Sequence, residues 1–306
     1  MANHSCTICS KLRPLNSHIH EVSILAHFYF HNCEITYSIS EWLKLSFTLD
    51  KVSVEPWDYS ANDMFTCRPA YEKLVSDRIN ISEYTTHFTR FFFVTNALEE
   101  TYRLIVSNYN SEMNSTSKRS LTSNTVKAIM LLEKIEDVYI PSYLEHYCES
   151  LSNFQDLYIK EFKPRKDSIG LEYEKNHRCK GLDIIRQLRN YISHGIFPIN
   201  MNHEFNGGFR LVGNLMRFLM MATRLALVYI QIFLLKYGGG FKKDLYLDAI
   251  GYTSWIEDLN DNREGEGLPL HNYLEFVPDF TDMVLNLPFE NEFGFNKFWD
   301  IKAGRT

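Results

Sequence analysis

The chain has 306 residues, 45% of them hydrophobic and 14% aromatic, which is enough for a substantial core and too apolar for wholesale disorder. Its formal net charge of −6 argues against a general nucleic-acid binder, yet the charge is uneven. Residues 241–306 carry 13 acidic and 6 basic side chains, whereas residues 160–190 carry 9 basic and 5 acidic ones. Six scattered cysteines (Cys6, Cys9, Cys33, Cys67, Cys148, Cys179) and an N-terminus without an uninterrupted apolar leader fit a reduced, cytoplasmic protein.

Residues 1–82 are expected to form a small mixed α/β subdomain. "EITYSI" and "KLSFTLDKVSVEPW" alternate apolar and polar residues, which suits short strands, and "SEWLKL" between them suits a helical turn. From about Glu83 the period changes. Phe88, Phe91, Phe92, Thr95, Leu98, Tyr102 and Ile105 recur at helical spacing, and "SNYNSEMNSTSKRSLTSNT" at 107–125 reads as a surface loop. Helices are predicted over "TVKAIMLLEKIEDVYI" and "PSYLEHYCESLSNFQDLYIKEF", with Pro141 tolerated in a first turn.

A charged loop and a further helix lead to Gly195. "NGG" at 206–208 then precedes "LVGNLMRFLMMATRLALVYIQIFLL", Leu211–Leu235, which "GGG" at 238–240 closes. Arg217 and Arg224 interrupt that apolar stretch, so it reads as a buried core helix rather than a membrane span. Five helices joined by short loops over 83–240 predict an antiparallel helical bundle. Residues 241–306 read as an irregular, acidic, aromatic-rich extension packed on it. The chain is therefore expected to be mainly α.

The segment "RQLRNYISHG", 186–195, concentrates polar chemistry. On a helical wheel Ile184, Ile185, Leu188, Tyr191 and Ile192 share one face, and Arg186, Arg189, Asn190, Ser193 and His194 share the other. Asn190 and His194 are one turn apart, so the amide can orient the imidazole. Gly195 suits the left-handed conformation that ends a helix, which places His194 at its C-terminus. The plain alternative is an amphipathic helix ending in residues that solvate and cap well.

"RNYISHG" resembles the Arg-polar-three-residues-His signature of the HEPN superfamily, helical bundles of which many members are metal-independent endoribonucleases. The resemblance covers roughly Glu83 to Tyr237, and "NALEETYRL" is similar to the family's early helix, which packs against the motif helix. It implies Arg189 as the motif arginine, Asn190 as the polar residue after it, and His194 as the motif histidine. It also implies a homodimer whose paired motif helices line one cleft, with no cofactor and no metal. Some family toxins carry a tyrosine two residues after the histidine, where a partner enzyme modifies them. That position is Ile196 here, which puts that mode of neutralisation in doubt.

The chemistry suits RNA. The 2′-hydroxyl, once deprotonated, attacks the neighbouring phosphorus and leaves a 2′,3′-cyclic phosphate and a 5′-hydroxyl. His194 is the expected general acid or base and Arg189 the expected holder of the charged phosphate. Arg186, Ser193 and Lys180 are expected RNA contacts. The resemblance further implies a toxin or antiviral defence effector with a cognate antitoxin or defence-system partner. The alternative is a non-catalytic module that uses the same face to bind RNA, nucleotide or protein.

Weaker signals have plainer readings. "CTIC" with His18 and His20 lacks zinc-finger spacing and reads as free thiols and surface histidines. His203 and Glu204 read as loop residues. Arg210, Arg217 and Arg224 recur every seven residues and read as solvated or salt-bridged positions on the bundle's edge. A sharper idea for the acidic extension is that it shields the basic cleft.

Overall fold

The computed structural model describes residues 12–29, 34–54, 68–112, 123–162, 177–195, 197, 208–238 and 288. Among these, seven α-helices follow one another: α1 (Leu15–Tyr29), α2 (Glu34–Thr48), α3 (Arg68–Glu112), α4 (Asn124–Lys134), α5 (Leu144–Phe162), α6 (His177–Ser193) and α7 (Gly208–Tyr237). A 3₁₀ turn, Asp137–Tyr139, links α4 to α5. Among the described residues there is no extended strand, and the protein is mainly helical.

The core is built around α7. From Leu215 to Leu234 nearly every apolar side chain on it is buried, and α1, α3, α5 and α6 all pack against it. The Gly213–Tyr237 stretch has the length and apolarity of a membrane span, but 83% of its most apolar window is buried inside the bundle. The reading of this segment as a core helix therefore holds. Its polar residues are satisfied internally: the Thr223 hydroxyl donates to Leu219 O at 2.7 Å, and Gln231 Oε1 lies 2.8 Å from His18 Nε2 of α1.

The N-terminal region departs from the expected mixed subdomain. "EITYSI" lies in α2, not in a strand. Ile39, Leu43 and Ser46 are buried at helical spacing, and Ser40 comes close enough for its hydroxyl to donate to Ser23 O of α1 at 3.1 Å. Burial with a period of three to four residues outweighs the local alternation that suggested a strand. Residues 49–54 are non-helical and run antiparallel along α3, but a helix meets their polar groups. Thr86 Oγ1 accepts from Val52 N at 2.9 Å, Ser82 Oγ accepts from Val54 N at 3.2 Å, and Arg90 Nη2 donates to Leu49 O at 2.7 Å.

α3 is also longer than its apolar period indicates. It spans 45 residues and passes unbroken through the boundary expected between 82 and 83. Its turns before Ser82 bear exposed Tyr71 and Ile79, so they carry little of the apolar stripe that marks the later part.

Of the C-terminal extension, the described residue is Pro288. Its carbonyl accepts from Arg13 N at 3.0 Å and from Arg224 Nη1 at 3.4 Å, while Arg224 Nη2 donates to Arg13 O at 2.6 Å. Arg224 is therefore a buried tie between α7, the segment that leads into α1, and Pro288, not an edge residue. Arg217, one heptad earlier, is exposed as expected. The rest of the extension, Arg210's side chain, His203, Glu204, Cys6 and Cys9 lie outside the described residues. His18 is fully buried against Gln231, which removes it from any zinc set. Among the described residues no group of three His, Cys, Asp or Glu side chains is assembled to hold a metal.

Candidate functional site

α6 carries the motif. Its apolar face is as the wheel places it: Ile184, Ile185, Leu188 and Tyr191 are buried and Ile192 is partly so. That face is held by α5, where Gln155 Nε2 donates to Gln187 Oε1 at 3.0 Å and the Tyr158 ring lies 5.7 Å from that of Tyr191. It is also held by α4 and by α7.

The helix ends after Ser193. Gly195 adopts φ +66°, the left-handed value that a side chain disfavours, and its N–H donates to Ile192 O at 3.0 Å. Phe197 then folds back. Its N–H donates to Tyr191 O at 3.0 Å, and its ring lies 5.3 Å from that of Tyr158 and 6.4 Å from those of Tyr84 and Phe88. An aromatic cluster drawn from α3 and α5 thus pins the turn that presents His194.

The polar face is divided by depth. Ser193 and His194 are exposed. Asn190 is half-buried, and its carbonyl accepts from His194 N at 3.0 Å. Arg189 is 31% exposed, and its Nη1 donates to Glu99 Oε1 of α3, itself 33% exposed. Burial draws the Arg189 guanidinium below its ordinary value.

Arg186 is not where RNA could meet it freely. It is 7% exposed, and its Nε donates to Asp183 Oδ1 on the same helix at 2.9 Å. It lies near the buried Tyr102 of α3, whose hydroxyl burial pushes well above the usual phenol range. Glu99 and Tyr102 are one turn apart on α3, and Arg189 and Arg186 one turn apart on α6. The two turns therefore face each other, with long side chains meeting between α3 and α6. Lys180 is exposed and sits about 20 Å back along α6 from His194, at ~1.5 Å per residue.

The structure thus gathers Arg189, Asn190, Ser193 and His194 at one helix end, places Lys180 well back along the same helix, and buries Arg186 against Asp183. It adds Glu99, which sequence reading passed over. The signal was within "NALEETYRL", whose acidic pair includes the residue that reaches across; its neighbour Glu100 pairs on its own helix with Arg103 at 2.8 Å.

Comparison of the chain with family models, with curated proteins and with solved structures returned no match.

A surface cleft of about 380 Å³ is lined by Asp137, Ile140, Pro141, Ser142, Leu144, Glu145 and Arg178. It adjoins the start of α6, at the opposite end from His194.

Proposed function

We propose that the protein is a metal-independent endoribonuclease of the HEPN type. It would act as a homodimer in which two α6 termini face one cleft, in a toxin or antiviral setting with a cognate antitoxin or defence partner. The observation that carries this reading is the exposure of His194 on a fixed helix end, with the Arg189 guanidinium partly open to solvent about a turn and a half below.

In this reading His194 takes the 2′-hydroxyl proton or returns one to the leaving 5′-oxygen. Arg189 holds the non-bridging phosphate oxygens as charge builds on them. Asn190 and Ser193 flank the scissile linkage as hydrogen-bonding groups. One α6 end offers a single imidazole, and self-pairing on a two-fold axis supplies the second.

The test is incubation of labelled single-stranded RNA with the protein in EDTA, beside His194→Ala and Arg189→Ala. Chelator-resistant cleavage ending in 2′,3′-cyclic phosphate, lost in both variants, is the expected result. A second reading is a non-catalytic RNA- or protein-binding module. The burial of Arg186 and the engagement of Arg189 by Glu99 favour its protein-binding form, because both leave the face with less free positive charge for a phosphate backbone. Binding of RNA without cleavage would support that reading instead.

A further inference from the structure

We propose that Glu99 is an anionic latch on Arg189, occupying in the free protein the place that a backbone phosphate of single-stranded RNA takes on binding. The proposal rests on the reading above in so far as it makes RNA the ligand of this helix end.

Arg186 and Arg189, one turn apart on α6, are held in different ways. Arg186 is deeply buried and bonded to Asp183 of its own helix, so releasing it would leave two charges in the interior. Arg189 is paired with a carboxylate from another helix, and both partners are about one third exposed (31% and 33%). An ion pair that open can exchange its anion with solution. Among the described residues Glu99 engages Nη1 of the guanidinium, which leaves the fork's other N–H groups for a second acceptor.

The swap would not dismantle the fold. α6 is anchored through its apolar face on α5, α4 and α7, whereas it meets α3 chiefly through long side chains. A phosphate presents its oxygens in the same fork geometry as a carboxylate and can take two N–H groups at once. Glu99 is thus a positioning residue. It holds the guanidinium over the α6–α3 seam, one helix end from His194, and excludes anions too weak to displace it.

The test uses a fluorescein-labelled 2′-O-methyl oligonucleotide, which keeps the phosphates but lacks the nucleophile. Glu99→Gln preserves size and removes the charge. It should tighten the oligonucleotide Kd roughly two- to fivefold, the range set by a partly exposed ion pair. In the Arg189→Ala background the same substitution should leave Kd unchanged, an outcome that a purely structural role for Glu99 would not produce. An unchanged or weaker Kd with intact melting, equal effects in both backgrounds, or no binding by any form overturns the latch.

If Glu99→Gln does not fold, the Arg189 side-chain Nε–H resonance in the unsubstituted protein, assigned by Arg189→Lys, decides. A shift at saturating oligonucleotide supports exchange, and an unmoved signal overturns it. Cleavage is read separately on the all-ribose oligonucleotide. Coupling without cleavage removes the nuclease reading and keeps the latch; cleavage without coupling does the reverse.

Discussion

Gly181 of α6 lies directly beneath the phenol of Tyr229 of α7. A Cβ at Gly181 would stand 2.7 Å from Cys148 Sγ and 2.8 Å from Leu225 Cδ2, and nearer still to the Tyr229 hydroxyl. That hydroxyl donates to Arg178 O and lies 3.4 Å from Cys148 Sγ, so it is fixed on both sides. A glycine inside a helix is ordinarily a weakness of about 1 kcal/mol. Here it lets the motif helix sit against the central one.

Gly181→Ala should therefore destabilise the protein by about 1–3 kcal/mol despite its better helix propensity, because three packed atoms must give way. Tyr229→Phe removes the nearest of them. The double variant should lose less than the sum of the two single losses, as read from urea midpoints in a double-mutant cycle. Strict additivity would mean that the phenol is not what the methyl group meets.

Gly195 presents the opposite case. Nothing lies within 4 Å of a Cβ built there, so space is no obstacle and the backbone alone decides. At φ +66° an alanine should cost about 1 kcal/mol and an asparagine distinctly less. If the alanine variant melts with the unsubstituted protein, the turn after His194 is not held left-handed in solution. Where RNA cleavage is measurable, the asparagine variant should retain it, because the presentation of His194 is unchanged.

These two glycines show what could be read from the chain and what could not. The apolar face of α6, its end at Gly195, the core role of α7 and the bundle of helices after Glu83 all follow from periodicity and punctuation, which are local properties. The wheel also put Arg186 and Arg189 on one face, and they are on one face. It could not say that one of them is buried while Glu99 of α3 reaches the other, since a neighbour's position is not encoded in a helix's own period. The same gap made Arg224 look like an edge residue and hid Glu99. In α2 a strand-like pattern lost to helical burial of Ile39, Leu43 and Ser46, a tertiary effect that local alternation does not record.

Acid should weaken the fold through His18. Its imidazole is fully buried, and burial holds its pKa well below the usual histidine range; Arg224 and Arg13 add repulsion, and the hydrogen bond to Gln231 opposes them. The unfolded chain binds this proton near pH 6.5 and the folded one does not. Below that pH the unfolded state carries more protons, so stability falls as pH falls, at up to ~1.4 kcal/mol per pH unit for one such group. His20 and His87, also lowered by burial, act in the same direction. Glu21, raised by burial against the pull of Arg13, acts oppositely and only nearer the carboxylate range. Urea midpoints followed from pH 7 to pH 5.5 should drop, and less steeply in His18→Gln. Parallel slopes in the two proteins would show that His18 does not titrate on unfolding.

The ion pair of Arg13 and Glu21 is the most enclosed in the described protein, with side chains 4% and 2% exposed. Enclosure of that degree makes the pair costly to break but not costly to replace. Glu21→Ala leaves a guanidinium in the interior and should cost about 3–5 kcal/mol. Arg13→Met with Glu21→Leu removes both charges and keeps the volume. It also spares the main-chain links of residue 13, since Arg13 N still donates to Pro288 O and Arg13 O still accepts from Arg224 Nη2. The double variant should therefore recover most of the loss, and its urea m-value should stay that of the unsubstituted protein. A double variant as unstable as Glu21→Ala alone would mean that the charges hold the Arg224–Pro288 junction in register, and that apolar packing at the start of α1 cannot do so in their place.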